Sequence, residues 1–310
     1  MFEAIEKFAA KSVTLKEARE NVENISLVKE IGIYIVLFLI LYFFMILVVA
    51  IAGYCLGNID NFLISLFSFA VVPVGIYIYA TKIEKRSWRS IGFSKGNAFS
   101  STLKGALIGF SMFLAVVMIG LALGQFTFSG FDFSQAIYAL PFLVAFTIQS
   151  FGEEIYTRGW TLTYFSKRHG ILTAILAANI IFILPHCFNL GFDLLSIINI
   201  FLVGTVFAVM FLRFDNIWIC GGAHTAWNFS QGIIFGFSVS GAPTPSLLKF
   251  SQAGQNIIAG GIFGPESGLI ATGVIVVSLI IMRYYKIGTF KNLCDFFLFY
   301  FLCSNDLVLA

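Results

Sequence analysis

Hydrophobic residues in this chain come in long blocks, without the strict alternation or the three-to-four spacing of a soluble fold. Runs long enough to cross hydrocarbon, roughly 20 residues with shorter buried ones tolerated, begin near Ile31, Phe62, Gly105, Ala136, Ile171, Leu194, Ile217 and Leu269. They predict an all-α polytopic membrane bundle of about eight transmembrane helices, occupying residues 31–285. Residues 1–30 carry six Glu, four Lys and one Arg ahead of the first run. That is no signal peptide; it is a charged, partly amphipathic helix at the membrane face, or equally a solvated leader that only sets topology. Ser238 to Gly268 is rich in Gly, Ser and Pro and predicts a long, partly re-entrant loop. Residues 286–310 end in the short apolar stretch Phe296 to Leu302, which predicts an interfacial tail.

Composition strengthens this picture. Hydrophobic residues make up 59% of the 310 and charged ones 11%, with a mean hydropathy of +0.92, so the apolar surface exceeds what one soluble core could hide. A net charge of +3 gives no basis for nucleic-acid binding. The placement of the charges says more than their sum. Of the nineteen Lys and Arg, all but Lys249 fall on one set of connections, and by the positive-inside rule both termini are cytoplasmic. Five cysteines in irregular spacing, without C-x-x-C, suggest neither a disulfide framework nor a thiolate zinc site.

Against this apolar background a few polar groups stand out. Glu153, Glu154, His186 and His224 lie on predicted membrane helices away from their ends. A charge at a helix centre costs about 2.5–3.5 kcal/mol on the lenient insertion scale, so such groups are candidates for function. Each has a plainer reading: Glu154 and Arg158 are spaced for an i,i+4 ion pair, a lone His is often a hydrogen-bonded core residue, and Asn228 alone would join helices. Taken together they cohere. His224 and Asn228 share a helix face, as do Phe182 and His186. Glu153 precedes His169 by sixteen residues and His186 follows it by seventeen. At 1.5 Å per residue both lie about 24 Å from the polar turn at Lys167–Gly170, facing each other across a hairpin. His224 matches that depth if the hairpin projects into the cytoplasm or a helix bends. Pro185 predicts a kink beside His186, tolerated at membrane depth where a cavity receives the freed backbone group.

A carboxylate with two imidazoles and a carboxamide suffices to deprotonate water and hold an oxyanion without a cofactor. Glu153, His186 and His224 would also make a zinc set with an open fourth position. Cys187 as a nucleophile with His224 as its base is a third option, although Cys187 and His186 point about 100° apart on a helix.

Three stretches, Glu153-Glu154-Ile155-Tyr156-Thr157-Arg158, Phe182-Ile183-Leu184-Pro185-His186 and His224-Thr225-Ala226-Trp227-Asn228, resemble the E-E-x-x-x-R, F-x-x-x-H and H-x-x-x-N motifs of the CPBP family, the CAAX-processing and bacteriocin-processing membrane proteases. The likeness covers about Leu140 to Phe235. It implies a CAAX-protease-like core in which Glu153 activates water with help from His186, His224 and Asn228 hold the oxyanion, and Glu154 and Arg158, with Phe182, support the arrangement. Family members have been described with either a metal or a glutamate mechanism. The resemblance implies membrane lipid and a membrane-associated peptide or protein as partners, in CAAX-type processing, peptide maturation or bacteriocin self-immunity. The high Phe, Ile and Lys content points to an AT-rich genome and fits a bacterial origin, hence a bacterial cell membrane, which argues against prenylated substrates. A transporter using Glu and His as a relay and a non-proteolytic scaffold are the competing readings, although the chain lacks the internal repeat common in transporters.

Overall fold

The computed structural model describes residues 1–20, 25–57, 59–94, 96–254 and 256–284; the tail expected at 286–310 lies outside them. Two short helices, α1 (Phe2–Lys11) and α2 (Val13–Glu20), precede α3 (Leu27–Leu56), α4 (Asn61–Ser68), α5 (Val71–Ile78) and α6 (Ala98–Ala122). Then come strand β1 (Phe126–Phe131), α7 (Ala136–Glu154), α8 (Thr163–Ile183), α9 (Leu194–Phe214), α10 (Trp218–Phe229), strand β2 (Leu248–Gln252) and α11 (Leu269–Tyr284). Among the described residues, five helical segments are long and apolar enough to cross a membrane. The chain is an integral, multi-pass membrane protein.

One of those five segments, Phe133–Phe188, runs for 56 residues, far more than a bilayer needs. It contains a reversal at Gly170, whose φ of 77° and ψ of 164° lie outside the helical region and are open to glycine. The two arms return alongside each other, as the Arg158 to Asn179 hydrogen bond across the turn shows. With this hairpin taken as two passes, α10 and the shorter apolar α11 fall at the last two positions expected from the hydrophobic blocks.

Lipid and protein contacts divide the helices. The apolar side chains of α3 are widely exposed, including Ile35, Val36, Leu39, Tyr42 and Phe43, whereas Val206 through Leu212 of α9 are all buried. In α6, Gly105 and Gly109 let α10 approach backbone to backbone: a Cβ at Gly109 would lie 2.0 Å from the Ala223 carbonyl oxygen, and one at Gly222 would lie 2.2 Å from that of Thr102. Such small-residue contacts replace the hydrophobic driving force that helices lack within lipid. They also set the position of His224, one residue beyond Ala223.

The leader is more than a solvated segment. Ile5, Ala9, Leu15 and Ala18 are buried, and Asp215, at the turn after α9, accepts hydrogen bonds from Ser12 Oγ (2.6 Å), Val13 N (3.2 Å) and Thr14 N (3.1 Å). Asp215 thus satisfies amides at the start of α2 from outside the helix, and Arg89 pairs with the same carboxylate. Buried Glu30 joins the start of α3 to the hairpin turn through Arg168 (3.1 Å) and His169 (2.8 Å).

The loop expected from Ser238 to Gly268 contains a feature absent from the all-helical expectation. β2 pairs antiparallel with β1, with Phe128 opposite Phe250 and a bulge between Phe128 and Gly130. The Phe128 and Phe250 rings lie 5.2 Å apart, and Lys249 pairs with Asp132 at 2.9 Å. The inward turn of this loop does occur, since Val239–Ala242 reach the internal cavity described below.

The glycine contacts generate a prediction. Gly109→Ala should destabilise the protein by about 1–3 kcal/mol, the usual cost of overpacking, and Gly109→Leu should prevent stable folding. Thermal unfolding in detergent measures both, with Gly273→Ala, which meets nothing within 4 Å, as the control.

Candidate active site

The three sequence stretches converge because the backbone departs from regular α-helix at two of them. Immediately after Glu154, Ile155–Leu162 winds as a π-helix, a widened form that is rare and frequent at functional sites. Near the other arm's end, α8 passes into a tighter 3₁₀ turn over Leu184–Phe188, with Pro185 near its start. Pro185 supplies no amide hydrogen and ends the α-helical ladder there. The kink expected beside His186 is this turn.

Arg158, completely buried, stands at the centre of a polar chain. Its Nη1 donates to Glu154 Oε1 (3.0 Å) and Thr157 Oγ1 (2.8 Å), and its Nη2 to the Gly204 carbonyl oxygen (2.9 Å) and Asn179 Oδ1 (3.4 Å). The guanidinium carbon also lies 4.5 Å from the Phe182 ring centroid, within cation–π range. Gly204 is small for a reason: a Cβ there would meet Arg158 Nη2 at 2.8 Å.

From Glu154 the chain continues to His224. Glu154 Oε1 accepts from His224 Nδ1 at 3.0 Å, which fixes the imidazole and turns its other nitrogen toward Glu153. His224 Nε2 lies 3.7 Å from Glu153 Oε2, beyond a direct hydrogen bond. The ring of His224 stacks on Phe207 (5.1 Å) and meets Phe182 edge-on (5.8 Å). Glu153 Oε2 is buried without a hydrogen-bond partner among the described residues.

The remaining candidates complete the arrangement. Asn228, one turn beyond His224, donates from Nδ2 to Gln149 Oε1 (3.1 Å), and its second amide hydrogen has no partner among the described residues. Nδ1 of His186 donates to the Phe182 carbonyl oxygen (2.8 Å), so Nε2 is the nitrogen left for chemistry. Glu153, His186, His224 and Asn228 all line one cavity of about 850 Å³; Glu154, Arg158 and Cys187 are not among the lining residues. The imidazole against Glu153 is that of His224, whereas the family resemblance pairs Glu153 with His186; no hydrogen bond joins those two among the described residues.

The cavity also contains residues that spacing did not single out. Gln149, a turn before Glu153 on the same helix, was discoverable as an i,i+4 neighbour. Glu266, which also lines the cavity, stands in the connection before α11, and burial pushes its carboxyl above the usual carboxylate range, opposed by hydrogen bonds from Ser240. Much of the remaining lining is apolar, including Leu41 and Met45 of α3 together with Leu66 and Phe69.

The residues suggested for zinc do not form a ligand set here. Among the described residues no group of three His, Cys, Asp or Glu side chains is placed to hold a metal ion. Nδ1 of His224 is committed to Glu154 and Nδ1 of His186 to a backbone carbonyl, which leaves Nε2 of each ring, an arrangement that metal-ligating histidines also use.

Residues 135–230 match the sequence model of a family described as type II CAAX prenyl endopeptidase Rce1-like. The matched stretch contains every residue of the three motifs and bears out the resemblance to the CAAX-processing membrane proteases. No curated protein and no solved structure matches the chain.

Removing Arg158 leaves Glu154 buried without its cation, a loss of about 3–5 kcal/mol for a broken buried pair. Arg158→Ala should therefore lower the melting temperature sharply in detergent. Arg158→Lys should recover only part of it, since one ammonium lacks the forked geometry that reaches Glu154 and Gly204 together.

Proposed function

We propose that the chain is an intramembrane endopeptidase in which Glu153 activates water to hydrolyse a membrane-associated peptide or protein. The observation that carries this reading is the buried Glu153 oxygen, without a hydrogen-bond partner among the described residues, facing His224 Nε2 at 3.7 Å on the wall of a cavity lined by both polar and apolar side chains.

Glu153 takes a proton from water, and the resulting hydroxide bonds to the scissile carbonyl carbon. His224, oriented by Glu154, steadies the carboxylate and the transferred proton. Asn228 offers its free Nδ2 hydrogen to the developing oxyanion, and His186 presents Nε2 to the same space. Collapse of the tetrahedral intermediate breaks the C–N bond, and the proton held by Glu153 passes to the leaving amine. The reading uses no metal. Arg158 and Phe182 support the site without touching the substrate. An apolar stretch or lipid-modified end of the substrate fits the wall formed by α3 and α4, and no particular lipid group is singled out by it.

The charge bias along the chain supports cytoplasmic placement of both termini, with Lys249 on the opposite face. In a cysteine-free background, Lys249→Cys should react with a membrane-impermeant maleimide in intact cells and Lys167→Cys only after permeabilisation.

Reconstituted protein should cleave fluorogenic peptides carrying an apolar anchor. Glu153→Gln should lower the rate by about 10²- to 10⁴-fold, the scale of a lost general base, with insertion and yield unchanged, and His186→Ala should also abolish cleavage. A chelator should leave wild-type turnover intact. Cleavage surviving in both variants would sink the proposal, and loss to the chelator with recovery on adding zinc would replace glutamate chemistry with metal chemistry.

A further inference from the structure

The cavity has a second polar pole that the hydrolysis just described does not use. Glu266 sits in the short turn Pro265–Ser267 and is mounted from two sides. Asn199 Nδ2 of α9 donates to its backbone carbonyl at 2.9 Å. Ser240 donates to its Oε1 through both N (2.5 Å) and Oγ (2.8 Å), and Ser240 adopts a left-handed φ of 48° in doing so. Oε2 makes no hydrogen bond among the described residues. Val239, Ser240, Gly241 and Ala242 line the cavity beside it.

Charge is one-sided in this space. Two carboxylates, Glu153 and Glu266, line the cavity, and among the described residues no Lys or Arg does; the imidazoles of His186 and His224 line it as well. Arg158, the buried cation nearby in the bundle, is spent on Glu154. A carboxyl taken out of water gains most from a ligand that brings both a positive charge and hydrogen-bond donors. A carboxylate ligand would meet two like charges and no cation. An anchor for the loop alone would need only Oε1.

We propose that Glu266 is a specificity-determining residue that receives the cationic side chain of a Lys or Arg in the substrate while the scissile bond lies at Glu153. This rests on the endopeptidase reading for the scissile bond, but the cation site itself is separable from it. The loop residue Ser240 holds one carboxylate oxygen still, and the other faces the incoming side chain.

The test uses three otherwise identical anchored peptides with Lys, norleucine or Glu at each position in turn around the cleavage site. Wild-type protein should cleave the Lys peptide at least tenfold better in kcat/KM than the norleucine peptide at one position, with the Glu peptide poorest. In Glu266→Gln, which keeps an oxygen for Ser240 and removes the charge, that ratio should fall to near one, with the change carried by KM of the Lys peptide. Equal cleavage of the three peptides by wild type, or an unchanged ratio in Glu266→Gln, overturns the proposal and leaves Glu266 as an anchor for the loop. Binding of the same labelled peptides to Glu153→Gln protein gives a readout independent of turnover. If no peptide is cleaved but Lys-selective binding disappears in the Glu153→Gln, Glu266→Gln double variant, the cation site stands and the peptidase reading falls. If binding shows no Lys preference either, both fall.

Discussion

The structure around the site depends on the burial of one guanidinium. Arg158 has no exposed side-chain surface and sits in a part of the chain that crosses the membrane, where an unpaired charge costs several kcal/mol. Its hydrogen bonds therefore must be made within the protein. They bind α7 to α8 through Asn179 and to α9 through Gly204, while Glu154 passes the connection on to His224 in α10. The residue that keeps the charge buried thereby orients the imidazole facing Glu153. Stability and site geometry are coupled by the same atoms, so substitutions in this chain will affect folding and positioning together.

That coupling explains what was legible in the sequence. Long apolar blocks placed the membrane helices, because lipid leaves the backbone few ways to satisfy itself other than helix. The i,i+4 relation of Glu154 to Arg158 and of His224 to Asn228 followed from helix geometry, and the equal distances of Glu153 and His186 from the Gly170 reversal anticipated that both reach one cavity. Other parts carried weaker signals. The π-helical turn after Glu154 changes the register of a helix without a change in composition that marks it. β1 and β2 are separated by 116 intervening residues, and each is too short for its alternation to stand out beside apolar helices. Glu266 lies among glycines and prolines, where an acidic residue ordinarily means a solvated loop. Only the folding back of Val239–Ala242 brings its carboxylate to the cavity.

The cavity wall adds a constraint from the solvent side. Hydrolysis requires water, and the substrate of a membrane peptidase must remain in contact with an apolar phase while one of its amides is exposed to that water. A cavity lined both by carboxylates and imidazoles and by apolar residues of α3 and α4 meets both requirements within a single space. α3 is suited to this position because it has so few buried contacts with the bundle compared with α9. Tight backbone packing occurs instead between α6 and α10, where Gly105, Gly109 and Gly222 hold the helix that carries His224. The helix that carries His224 is thus held by close backbone contacts, whereas α3, which also lines the cavity, stays largely exposed.

Two adjacent glutamates leave the identity of the base open when only spacing is considered, because either could reach a cavity from a widened helical turn. Their surroundings divide them. Glu154 is fully buried, its Oε1 shared by Arg158 and His224 and its Oε2 without a hydrogen-bond partner among the described residues, but it does not line the cavity, and protonating it would weaken its pairing with Arg158. Glu153 lines the cavity, has no basic side chain hydrogen-bonded to it among the described residues, and meets His224 only at a distance that an incoming group can close. A base must be free to change its protonation state without dismantling its support. Within the proposed mechanism that requirement favours Glu153 on physical grounds that do not depend on any family likeness, and it would give Glu154 the separate task of holding the imidazole still.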